Sequence, residues 1–154
     1  MRTELIHPMV VHFPIALIFC MLTIDALAAS MSIPVSGRGT VAIVSTSVAV
    51  AAGVFALLAF AFGDLAYDIA AEMANVSKQA LELHEEAGTV TAFALLGWAV
   101  LRLILWWRRI DLGHLGSYAI VAVEVLLALA VVLTAWYGGD LVYEHGIAVV
   151  RATG

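Results

Sequence analysis

Four apolar segments, each near the length of about 20 residues that a helix needs to cross a bilayer, take up most of this chain: residues 9–30, 39–65, 84–107 and 117–140. Polar breaks separate them at 31–38, which holds Pro34 and Gly37, at 66–83, which holds Asp68, Glu72 and Glu82, and at 108–116, which holds two glycines. None of the segments shows the period-two alternation of a membrane barrel strand, so helices are expected. The fold class predicted is an all-α membrane protein, a four-transmembrane-helix bundle forming one integral domain over residues 1–154. With 64% hydrophobic and 12% charged residues, the chain carries roughly half the charge of an average soluble domain.

Other classes fall away on the same grounds. A net charge of −5, with no basic cluster beyond Arg108-Arg109, argues against nucleic acid as a partner. Cys20 is the single cysteine and lies inside an apolar run, which leaves no internal disulfide and no cysteine-based metal motif. Ala26-Leu27-Ala28 resembles a signal-peptidase site, but Glu4 beside Arg2, and Pro14 and Asp25 within the run, point to a retained span.

Arg38, Arg102, Arg108 and Arg109 gather near the first and third connections, with Trp106, Trp107 and Tyr118 as interfacial anchors, so that end is expected to face the cytoplasm. The opposite end carries Arg2, Lys78 and Arg151 together with most of the acids, and both termini belong to it. The localisation expected is a bacterial inner membrane, multi-pass, with any site on the outer face.

The segment from Leu57 to Asp68 matches that from Leu133 to Glu144, with Leu, Ala, Gly, Asp, Leu and Tyr in common at an offset of 76 residues. The same offset brings His7-Pro8 against Leu83-His84 to within one residue. The bundle therefore reads as two hairpins related by a pseudo-two-fold axis along the membrane normal.

That reading gathers His7, His12, His84 and His145 in the outer third, leaving His114 at the other end. Imidazole suits iron, copper and zinc, and bundles build cofactor sites from facing helices. A haem needs two axial ligands and small residues beside its macrocycle; His12 with His84 are the expected ligands, and Gly63, Gly88, Gly138 and Gly139 the small residues. His7 and His145 are expected at the rim or against the propionates. Asp64 and Asp140 are either acceptors for imidazole N–H groups or helix-exit residues with an interfacial Tyr. Taken singly, each histidine reads as an interfacial residue bonded to loop carbonyls. Asp25, Arg102 and Glu124 lie within spans and are expected to form one paired network, a proton or ion path being the alternative. The small residues of the second span, Ser45 through Gly63, read as a packing stripe.

His7-Pro8-x-x-Val11-His12-Phe13-Pro14-Ile15-Ala16-Leu17, the His84 opening and Gly138-Gly139-Asp140-Leu141-Val142-Tyr143-Glu144-His145-Gly146-Ile147-Ala148-Val149 together resemble an uncharacterised family of predicted bacterial four-helix membrane proteins. The resemblance covers essentially the whole chain. Members of that family occur alone or joined to Rieske-type or c-type cytochrome domains, which implies respiratory surroundings and a redox partner. The typical ending has Glu after Gly-Gly and a Gly-Val-Gly-Val tail; Asp140 and Gly146-Ile147-Ala148-Val149 depart from it mildly.

The function expected is a membrane cytochrome-like electron carrier binding haem b near the outer face. The alternatives are a non-haem copper, zinc or iron site using three or four of the histidines with Asp64 or Asp140, and a structural subunit of a respiratory complex. No nucleophile and base stand together in the sequence, so an electron carrier or subunit is expected ahead of an independent enzyme. Oligomeric state is left open by the residues.

Overall fold

Every backbone N–H and C=O in a bilayer must be satisfied within the protein, and a chain with apolar residues on all helix faces meets that demand as long helices. The computed structural model describes residues 6–72 and 77–147 and contains α1 (Ile6–Val10), α2 (His12–Ser30), α3 (Thr40–Ala71), α4 (Lys78–Trp107) and α5 (Gly113–Tyr143). Arg2, Glu4, Ala148, Val149, Arg151 and the side chain of Asp68 lie outside the described part. Helices α1 and α2 form one span, Ile6–Ser30, and with α3, α4 and α5 make four helices long and apolar enough to cross a membrane. Among the described residues there is no strand.

The division between α1 and α2 has a local cause. Pro14 lacks the N–H that would reach the Val10 carbonyl one turn back, and the helix is interrupted at Val11. The Val11 N–H still donates to the His7 carbonyl at 3.1 Å and the Ile15 N–H to the Val11 carbonyl at 3.4 Å, so the two pieces stay in line.

Residues 66–71 and 78–83, which the sequence pattern assigns to a polar break, are helical. The hydrophobic run marks only the part of a helix that lies in hydrocarbon, and backbone bonding carries it on into the interface. Ser77 starts α4, its Oγ accepting from the Ala80 N–H at 3.4 Å.

Helix α2 packs on α3 and α5, and α4 packs on α3 and α5, so α2 stands diagonal to α4. The exits of α2 and α4 are built alike. Ile33 N–H donates to the Ala28 carbonyl at 2.8 Å past a left-handed Ser32 (φ 59°), and Ile110 N–H donates to the Leu105 carbonyl at 2.9 Å past a left-handed Arg109 (φ 58°). The two following loops meet: Ser36 Oγ accepts from the Leu112 N–H at 2.9 Å, and Arg38 Nε donates to the Trp106 carbonyl at 3.0 Å with its guanidinium 4.3 Å above the Trp106 ring.

The interior is lined by small side chains, Ala49, Ala52 and Ala56 among them, with Ile18, Met21, Leu95 and Trp98 filling the centre. The large apolar residues Leu58, Val90, Leu126 and Trp136 face outward, while Asp25, Ser45, Arg102 and Glu124 are buried, the inversion expected when the solvent is lipid. At Gly53 helices α3 and α4 approach closely: an added Cβ would stand 2.9 Å from Ala99 Cβ and 3.3 Å from Leu96 Cα. Gly53→Val is therefore expected to force these helices apart and destabilise the bundle by about 1–3 kcal/mol. Gly97→Ala, which meets nothing within 4 Å, is expected to leave the melting temperature in detergent unchanged.

Candidate functional site

One end of the bundle holds a histidine from each of two diagonal spans. His7 enters from α1, where Pro8 at the third helical position pre-sets the first turn. Its Nδ1 lies 2.8 Å from the Ala59 carbonyl of α3. His84, near the start of α4, places its Nδ1 3.2 Å from the Thr134 carbonyl of α5. A carbonyl only accepts, so each Nδ1 carries the hydrogen, and in the neutral imidazole each Nε2 keeps its lone pair. The ring centroids are 6.1 Å apart and the planes cross at 80°. Both rings are half-buried.

Each ring rests on a glycine four residues after the carbonyl it bonds. A Cβ on Gly63 would stand 3.0 Å from His7 Cε1, and one on Gly138 would stand 2.9 Å from His84 Cε1. The spacing follows from helix geometry, since residues four apart lie one above the other on the same face. Gly63 and Gly138 thus seat the imidazoles themselves. Gly88 would meet only Thr134 Cγ2, at 3.8 Å, and Gly139 meets nothing within 4 Å.

His12, expected to face inward, is on the exposed face of α2, and the partner of His84 is His7, expected at the rim. Helical phase explains the exchange. The buried stripe of this span runs through Pro14, Ile18, Met21 and Asp25. His7 precedes Asp25 by 18 residues, about five full turns at 3.6 residues per turn, and so shares its face; His12 points roughly 140° away from His7. Asp25, already expected to face inward, carried the signal that singles out His7. Arg102 follows His84 by the same interval, about five turns, and marks the inward face of α4 in the same way.

The remaining members of the expected cluster are elsewhere. His145 stands next to Asp140, Nε2 to Oδ2 3.9 Å, and Asp64 is exposed. The acceptors for the two buried imidazole N–H groups are backbone carbonyls, not Asp64 and Asp140. Among the described residues no three His, Cys, Asp or Glu side chains converge as an ion would require.

A second polar layer lies about 27 Å along the axis from the histidines, 18 residues at about 1.5 Å each. Arg102 Nη1 is 2.9 Å from Asp25 Oδ2 and 3.7 Å from Glu124 Oε1, and the three side chains are 1%, 0% and 0% exposed. Arg102 Nη2 donates to Ser45 Oγ at 2.7 Å, and Trp98 Nε1 donates to Glu124 Oε1 at 3.4 Å. Between the layers, Thr91 Oγ1 and Thr134 Oγ1 share a hydrogen bond of 2.9 Å. Asp25 and Arg102, like His7 and His84, stand 77 residues apart, a register for the first helices of the two hairpins one residue longer than the offset of their second helices.

Compared with known proteins, residues 4–151 match the model of a family described as predicted membrane protein, DUF2231. No curated protein and no solved structure matches the chain.

Proposed function

We propose that this chain, which belongs to the DUF2231 family of predicted membrane proteins, is a two-hairpin membrane haem protein whose axial ligands are His7 and His84. The observation that carries the reading is the paired geometry: two imidazoles from diagonal spans, each held by its Nδ1 hydrogen to a helix carbonyl, with both Nε2 lone pairs unused. Metal-ligating histidines regularly donate their other N–H to such an acceptor, which fixes tautomer and ring orientation. The ring centroids stand 6.1 Å apart, and His7 and His84 would hold the group between them.

The donor set also favours haem over a bare ion. A tetrahedral zinc or copper site needs three or four protein ligands, and among the described residues two imidazoles meet here with no third His, Cys, Asp or Glu beside them. In a haem the porphyrin supplies the other four nitrogens. When bound, the haem would supply one-electron chemistry. The chain's own part is to orient two rings and to bury them in apolar surroundings.

The matching of His7, Ala59 and Gly63 with His84, Thr134 and Gly138 supports a pseudo-two-fold relation between the hairpins. The arginines at the other end support an outward-facing histidine layer in a bacterial inner membrane. A soluble Rieske or c-type cytochrome domain is then the expected redox partner.

Pyridine haemochromogen assay of purified protein from haem-replete membranes tests the proposal. About one haem b per chain or per pair of chains is expected, lost in His7→Ala and in His84→Ala and kept in His12→Ala. Absence of haem in the unsubstituted protein, or its retention in both of the first two variants, contradicts the proposal.

A further inference from the structure

The second polar layer contains two carboxyl groups and one guanidinium, all shut off from solvent. With both acids ionised it carries a net charge of −1 in a bundle surrounded by hydrocarbon, where an uncompensated charge is expensive. Arg102 does not relieve both acids. It is an ion-pair contact for Asp25 and a more distant one for Glu124, and Asp25 Oδ1 and Oδ2 and Glu124 Oε2 have no hydrogen-bond partner. The two acids converge on one nitrogen, Arg102 Nη1, from 2.9 and 3.7 Å. Two carboxylates cannot hydrogen-bond, whereas a carboxyl and a carboxylate can, so a single proton answers both the excess charge and the orphaned oxygens.

We propose that Asp25 and Glu124 form a binding site for one exchangeable proton, with Arg102 as its fixed counter-charge. Every span faces this site: Asp25 from α2, Ser45 from α3, Trp98 and Arg102 from α4, and Glu124 from α5. Towards the histidines it is closed by Met21, Leu95, Leu127 and Ala128, which offer no proton acceptor. Towards the other end, an open groove of about 860 Å³ is lined by Ser36, Arg38, Thr40, Val41, Arg109 and Asp111. Val41 lies one helical turn from Ser45. Ala28 and Ile120 pack on that side too, but the groove is far nearer than the histidine end, so exchange is assigned to it: a proton from water there bonds to one carboxylate oxygen, its conjugate base stays in the groove, and no electron moves. The layer stores a proton on one side of the bundle and is not a conduit across it.

Infrared spectroscopy of the full chain in lipid nanodiscs at neutral pH reads this directly. The unsubstituted protein is expected to show one buried protonated-carboxyl C=O stretch that shifts on ¹³C labelling of Asp or of Glu. Glu124→Gln and Asp25→Asn are each expected to abolish it, because the acid that remains is neutralised by Arg102 alone. Should a variant fail to fold, the labelling of the unsubstituted chain decides. No such band, a band that neither label shifts, or a band surviving in both folded variants overturns the proposal.

Discussion

Arg102→Met is expected to destabilise the bundle more than any other single change considered, by about 3–5 kcal/mol, the range for breaking a buried ion pair from one side. The methionine replaces the volume but leaves Asp25 and Glu124, both fully buried, with no cation. It also removes the donor to Ser45 Oγ. Removing the charges together should be much milder. Adding Asp25→Asn and Glu124→Gln to Arg102→Met is expected to restore most of the loss, since neutral amides can bond each other and Ser45. Thermal unfolding in detergent followed by tryptophan fluorescence checks both. A single variant as stable as the parent would mean that Arg102 is not the partner that makes these acids tolerable.

The second large effect is expected at the ring seats. In Gly138→Val the Cβ alone comes 2.9 Å from His84 Cε1, inside van der Waals contact, and the two methyls add to the overlap. Helix α5 is held by its packing on α2 and α4, so the imidazole must move, and the 3.2 Å bond to the Thr134 carbonyl is broken. The unpaired N–H and the local overpacking together cost about 1–3 kcal/mol. Haem content is expected to fall at least tenfold. Gly63→Val should do the same to His7, whereas Gly139→Ala, with open space around the new methyl, should retain full haem content. Haem-to-protein ratios of the three purified variants decide. Equal losses in all three would remove the special role of the two seats.

Much of the fold is legible because bilayer thickness imposes a length on any apolar run, and the four spans follow from that alone. The charged layer is legible for a similar reason. Asp25, Arg102 and Glu124 have no tolerable position except one where they meet. The histidines were harder, because a helix places a residue by phase as well as by depth. His12 has the better depth, but the 18 residues from His7 to Asp25 complete about five turns and give His7 the inward phase. The second helices repeat at 76 residues, whereas His7 with His84, and Asp25 with Arg102, share a separation of 77. The acceptors for the imidazoles were beyond reach of sequence, since the Ala59 and Thr134 carbonyls are backbone atoms with no residue signature. Gly63 and Gly139 are the glycines before an acid, yet the ring seats are Gly63 and Gly138, because whether a glycine opens a slot or seats a ring depends on distances of a few tenths of an ångström.

In the proposed haem protein, His7 and His84 would together hold the iron. Electron paramagnetic resonance of the purified ferric protein at low temperature tests it most directly. The expected spectrum is that of low-spin ferric haem with two imidazole ligands, turning high-spin or disappearing in His7→Ala and in His84→Ala. No ferric haem signal, a high-spin signal in the unsubstituted protein, or a low-spin signal unchanged in both variants would contradict it.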